Sequence, residues 1–173
     1  MNQNLISFDP SSSCMGWAAL RFGDKKCELL DAGKISYRRK SITCPNDAIE
    51  AILADVKEIV EKFEATVAVV ELAQNRHIKY RKPASTDVYK NAVFACRLQC
   101  WDAVGRENTY TFTVGDWKGS KSKEITLLEV NDRYGLALEL KDNDISDAIG
   151  IGDYWLQVLG TKSEIKPDTE KKA

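Results

Sequence analysis

Four acidic residues stand where folding alone gives an acid little reason to be. Asp9 closes the apolar run NLISFD, and Glu71 closes the β-branched run TVAVVE. Asp144 and Asp147 lie three apart in DISDAIGIGDYW, facing the same way on a helix, among apolar neighbours and two glycines that imply close packing. Gathered in one place, such carboxylates repel. At about 4 Å and an effective dielectric near 20, each like-charged pair costs roughly 4 kcal/mol. The cluster must then take up protons or hold a cation. Hard divalent cations prefer oxygen ligands, and Mg²⁺ uses a few carboxylates while keeping waters and substrate phosphate. Two such ions about 3.5–4 Å apart activate a water and stabilise a leaving oxygen, as cutting a phosphodiester requires. Taken singly, Asp9 before Pro10 is also a turn former, Glu71 can face solvent, and Asp142 or Asp144 can cap a helix. The conjunction is what is specific.

Whether the acids meet depends on the elements that carry them. The chain has 173 residues, 43% of them hydrophobic, which suits one domain burying roughly 70% of its extended surface. Residues 4–9, 14–22 and 26–37 read as an antiparallel meander of strands, with a turn at Pro10 to Ser13 and an irregularity expected at Gly33. Ile49, Ile52, Val56, Ile59, Val60 and Phe63 recur at helical intervals and predict a helix from Asn46, its N-cap, to Phe63. Residues 66–71 lack alternation, as in a strand covered on both faces, and a strand–helix–strand crossover favours parallel pairing. A polar loop, QNRHIKYRKP, follows. Then come a helix over 86–104, a strand over 109–114, a lysine-bearing loop GDWKGSKSK, a helix from 121 to 130 with a Gly135 stop, and a last helix over 144–159. The order βββαβαβαα predicts an α/β, ribonuclease H-like domain over 1–159. Its sheet would be five-stranded and mixed, an antiparallel meander plus parallel strands, flanked by helices. In that layout the first strand is central, so Asp9 and Glu71 become neighbours with the last helix packed across them. Residues 160–173 have too little apolar content to pack and are expected to be disordered.

Composition removes several classes. With 25 Lys+Arg against 26 Asp+Glu there is no uniformly basic coat. No apolar run approaches the roughly 18 residues of a membrane span. The start, MNQNLISFDP, lacks a basic stretch followed by an apolar one, so a cytoplasmic protein is expected. The five cysteines form no CxxC pair and none sits beside the single histidine, His77, which sets aside zinc modules and disulfide scaffolds. They read as reduced core thiols, with Cys96 and Cys100 sharing a buried face. Trp17, Trp101 and Trp155 fall in apolar patterns, as core or dimer-face residues, whereas Trp117 beside Lys118 is a candidate DNA contact.

These motifs are familiar together. LISFDPSSSCMGWAAL resembles the first motif of the RuvC family of Holliday junction resolvases, and AVVELAQ resembles the second, an apolar strand ending in the catalytic glutamate. DISDAIGIGDY resembles the last motif, and VGDWKGSKSKEIT the lysine-bearing loop before the penultimate helix. The resemblance runs from about Asn4 to Leu159 in the family's order, and a phage-borne member, acting in the host cytoplasm, would fit its divergence. It implies that Asp9, Glu71, Asp144 and Asp147 bind two Mg²⁺ (Mn²⁺ substituting), with Asp9 shared. It also implies that Lys118 or Lys123 approaches the scissile phosphate, and that cleavage leaves 5′-phosphate and 3′-hydroxyl ends. Family members act as homodimers on four-way junctions. Two departures stand out: Ser11 replaces the usual glycine after Asp-Pro, and Gln74-Asn75-Arg76 stands where bacterial enzymes carry a wedging aromatic.

Neutral overall charge is compatible with DNA binding when charge is sorted by face. Arg76, Lys79, Arg81, Lys82 and Lys90 form one basic group, with Tyr80 and His77 interleaved, and Lys118, Lys121 and Lys123 form a second. With Ser11 they make the expected contacts to branched DNA, four-way or forked, and no membrane is involved. Two other readings stay open on sequence: a ribonuclease H-like nuclease acting on RNA–DNA hybrids, and a non-catalytic protein that binds branched DNA.

Overall fold

The computed structural model describes residues 2–11, 13–23, 26–37, 45–72 and 83–160. Strands β1 (Gln3–Pro10), β2 (Cys14–Gly23) and β3 (Lys26–Ser36) form the meander, each antiparallel to the one before. Helix α1 (Pro45–Lys62) then crosses over to β4 (Val67–Leu72), which pairs parallel with β1. Helix α2 (Pro83–Val104) leads to β5 (Thr109–Thr113), parallel to β4 at the edge. A four-residue α3 (Val114–Trp117), α4 (Lys123–Tyr134) and α5 (Asn143–Trp155) complete the described fold, with a π-helical turn over Leu156–Gly160. The sheet order is β3-β2-β1-β4-β5, so β1 is central as the meander and crossover predict.

Strand alternation sorts the sheet into two cores. Ile6, Phe8, Met15, Ala68 and Val70 point to one face and are covered by Val56 of α1 and Cys96 and Cys100 of α2. Leu5, Leu20, Val67 and Val69 point to the other and meet Ile151 and Trp155 of α5. β4 has apolar residues on both sides because both faces are covered, which explains its unbroken run. At the centre, the buried Ser7 hydroxyl donates to the Ala148 carbonyl of α5 at 2.7 Å, tying the middle strand to the last helix.

Several local expectations shift. The strand irregularity is not at Gly33, which pairs in register with Trp17; it falls where Ala19 pairs with Asp31 and Leu20 with Leu29, leaving Leu30 as the extra residue. Helix α1 starts at Pro45, so Asn46 lies in its first turn and is not the cap. The expected loop at GDWKGSKSK begins with a helix, α3. Gly135 does end α4, in the left-handed conformation (φ 65°) that glycine adopts without steric cost. Helix α5 is α-helical to Trp155 and continues without a break as the π-helical turn, so the expected end near Leu159 is reached with a wider winding. Among the described residues no helix is long and apolar enough to cross a membrane. Residues 161–173 of the expected tail, and Cys44, lie outside the described residues.

Candidate active site

One row across the sheet builds the site. Asp9 pairs with Gly16 of β2, and Gly16 pairs with Lys34 of β3. On the other side Phe8 is opposite Val70, so Asp9 and Glu71, one step further on, are adjacent. Alternation puts Asp9 on the face of Leu5 and Ser7 and Glu71 on the face of Val67 and Val69, which is the face α5 covers. Gly16 lets α5 descend onto that row: a Cβ there would lie 1.9 Å from the Asp144 carbonyl oxygen. The first turns of α5 therefore bring Asp144 and Asp147 against Asp9. Asp9 thereby lies within electrostatic reach of Glu71, Asp144 and Asp147.

Their electrostatics record the crowding. Asp9 keeps part of its surface accessible, yet its proton affinity is pushed well above the ordinary range. Burial is the main cause, followed by the charges of Glu71, Asp147 and Asp144, against a smaller opposing pull from Lys118. Glu71 is 6% exposed. Burial pushes it up to about 7, aided by Asp147, although hydrogen bonds from Trp117 and with Asp9 and the charge of Lys118 work the other way. Asp147 is raised by burial, partly offset by Lys118, whose buried Nζ lies 2.6 Å from its Oδ1. At Asp144 burial alone would raise the affinity. It is outweighed by Lys34 Nζ at 2.5 Å and by the Cys14 thiol, which donates from 3.1 Å, and the carboxyl is held below its usual range.

Helix α3 delivers two consecutive residues into this cluster. The Thr113 amide and hydroxyl both donate to Asp116 Oδ2 at 2.8 Å, closing the helix into a single turn. Trp117 Nε1 then donates to Glu71 Oε2 at 2.9 Å, while Lys118 meets Asp147. Behind Trp117 opens a cleft of about 370 Å³, lined by Lys121, Thr126, Arg133, Gly150 and Tyr154 among others.

The remaining expected residues are placed unevenly. Lys123, exposed at the start of α4, lies close enough for its charge to act on Asp144 and Asp147. Lys121 is exposed and pairs with Glu129 at 2.7 Å. The Ser11 hydroxyl is engaged within its own turn, donating to the Cys14 carbonyl at 2.8 Å. Lys90 is exposed on α2, in the layer across the sheet from α5. Arg76, His77, Lys79, Tyr80, Arg81 and Lys82 lie outside the described residues. Cys96 and Cys100 are core thiols, but Cys14 is half-buried beside the acids and Cys27 is exposed, contrary to the core reading. Trp155 is core, whereas Trp101 is half-buried with Arg97 and Arg106 over its ring.

Sequence reasoning missed Lys34, the role of Trp117, and Asp153. Lys34 had one usable signal, its register opposite Gly16. The buried Asp153 is neutralised by Arg133 at 2.7 Å and hydrogen-bonded by Tyr134 at 2.5 Å.

The donor set suits a hard divalent cation, since it offers carboxylate oxygens whose mutual repulsion a cation would relieve. Two lysine ammonium groups already meet part of that demand. Among the described residues no three metal-ligating side chains stand in a ready-made metal cluster.

The fold has known counterparts. The RuvC of T. thermophilus, in a structure with a Holliday junction substrate, superposes with a TM-score of 0.71 at 19% identity, over 88% of this chain and 92% of that one. The yeast mitochondrial Holliday junction resolvase Ydc2 gives 0.60 at 14% identity, over 90% of this chain and 78% of that one. The fowlpox virus Holliday junction resolvase gives 0.60 at 10% identity, over 91% and 99%. No family model and no curated protein sequence matches the chain. The five-stranded mixed sheet flanked by helices is the ribonuclease H-like fold that the element order predicts.

Proposed function

We propose that this chain is a metal-dependent, structure-selective endodeoxyribonuclease that cleaves Holliday junctions and other branched DNA. The observation that carries the reading is the meeting of Asp9, Glu71, Asp144 and Asp147, from β1, β4 and α5, at one point of the sheet. Burying like charges together is costly, and packing offers no return for it. The shared fold of the three resolvases, one of them with a junction substrate, adds support.

Asp9, Glu71, Asp144 and Asp147 would hold two Mg²⁺ or Mn²⁺ ions, with Asp9, which feels all three other acids, as the shared ligand. Bound there, the ions would supply Lewis-acid activation of a water and charge stabilisation of the leaving 3′ oxygen. Lys118 is the lysine best placed for the reaction. Its ammonium is already buried in the cluster, and from there it can oppose the charge that grows on the phosphoryl oxygens. Lys123, exposed at the start of α4, steadies the backbone of the strand. Breaking the bond to the 3′ oxygen leaves 5′-phosphate and 3′-hydroxyl ends. Ser11, Arg76, Lys79, Tyr80, Arg81, Lys82, Lys90 and Lys121 are assigned to holding DNA, chiefly through phosphates, with Tyr80 stacking on an unpaired base. The nuclease domain is assigned to residues 1–159. A homodimer is the proposed assembly, and its support is an apolar pair on α2, Phe94 and Leu98, which are 59% and 44% exposed.

The test is cleavage of labelled four-way junctions, forks, linear duplexes and RNA–DNA hybrids with Mg²⁺, Mn²⁺ or EDTA. Cutting of branched DNA should need the metal and should disappear in Asp9→Asn and Asp147→Asn. Undiminished cutting by both variants would defeat the mechanism, and preference for the hybrid would defeat the substrate assignment.

A further inference from the structure

Glu71 differs from the other acids of the site in its reach. A glutamate has one more rotatable bond than an aspartate, so its carboxylate is less fixed by its backbone and needs an external hold. Trp117 provides one. Its Nε1–H donates to Oε2 of Glu71 at 2.9 Å, which leaves Oε1 without a claim from the indole. The ring has a close neighbour on α5, and the Trp117 backbone has a second restraint. Gly150 of α5 lies against it, so closely that a Cβ there would come within 2.7 Å of Cζ3. The next residue, Lys118, is fixed by its pair with Asp147.

We propose that Trp117 is a positioning residue, which orients Glu71 by holding one carboxylate oxygen and directs the other toward a divalent cation. This inference rests on the nuclease reading and deepens it. Through α3 the orientation of Glu71 is tied to that of Asp147, because one residue step separates their partners. A donor of this kind behind a metal ligand commonly accounts for about 10- to 100-fold in metal affinity.

The test replaces the indole N–H alone, by β-(3-benzothienyl)alanine at position 117, with Trp117→Phe as a second variant. Mn²⁺ affinity is measured calorimetrically on the full chain without DNA, with and without Glu71→Gln. Both variants should bind Mn²⁺ about 10- to 100-fold more weakly. In the Glu71→Gln background the same replacements should change affinity less than about twofold, because the group through which Trp117 acts is gone. The benzothienyl variant should melt with the unmodified chain in EDTA, and its DNA cleavage should lose kcat with KM unchanged. Unaltered Mn²⁺ affinity, or an equal loss in the Glu71→Gln background, would overturn the role of Trp117 while leaving the nuclease reading intact. An unmodified chain that neither binds Mn²⁺ nor cuts branched DNA would overturn both.

Discussion

At Lys118 a single ammonium balances a buried carboxylate, and its removal tests how the cluster tolerates charge. With side chains only 6% and 11% exposed, the Lys118–Asp147 pair has little water to fall back on. Deleting one partner of such a pair typically costs about 3–5 kcal/mol, because the survivor is left buried and charged. Lys118→Met should lose about that much in urea unfolding with EDTA present, and saturating Mg²⁺ should restore part of it. The Asp9–Glu71 pair makes a second prediction, on pH. Both acids bind protons more tightly folded than unfolded, so their contribution to stability is full below the ordinary carboxyl range and is lost as pH rises toward the folded values. For Glu71 that window runs from the ordinary 4.5 to about 7. In EDTA the melting temperature should therefore fall between about pH 4.5 and 7, and Asp9→Asn should flatten the slope. Asp144, held below its usual range, acts in the opposite sense and only at lower pH. The acids themselves were legible in the sequence, because a carboxylate that ends an apolar run contradicts its surroundings. Lys34 and Trp117 contradict nothing, and only the pairing of strands and the placement of α3 reveal their partners.

At the level of elements, the approach of α5 to β2 sets the geometry of half the site. Gly16→Ala would place a methyl 1.9 Å from the Asp144 carbonyl, which backbone cannot accommodate without moving the start of α5. Overpacking of this kind costs about 1–3 kcal/mol. A displacement near 1 Å at a reacting centre costs on the order of 100-fold in rate. Gly16→Ala should thus stay folded in thermal melts yet lose roughly that factor in cleavage, and an unchanged rate would show that the contact does not position Asp144. The longer elements were readable because their periodicity is strong. The stripe from Ile49 to Phe63 marked α1, and the unbroken β-branched run marked β4. Helix α3 escaped because four residues cannot display a period and its clasp is a side-chain hydrogen bond. The bulge at Leu30 escaped because it is a property of two strands counted against each other.

For the molecule as a whole, the exposed pair on α2 predicts assembly. Phe94→Glu combined with Leu98→Lys should convert a dimer into a monomer, as read by light scattering on a sizing column, while the melting temperature changes little. A chain that is monomeric before substitution would remove the dimer. Strand order was accessible from sequence because a meander followed by a crossover leaves few ways to place β1, whereas the proposed DNA contacts fall largely on residues 73–82, outside the described residues. The tie between Ser7 and Ala148 spans 141 positions, nearly the length of the fold. During synthesis, β1 and β4 leave the ribosome well before Asn143 does. A nascent chain halted there holds Asp9 and Glu71 without Asp144 or Asp147, so under the nuclease reading the acidic set is assembled only once α5 has emerged and packed on β1.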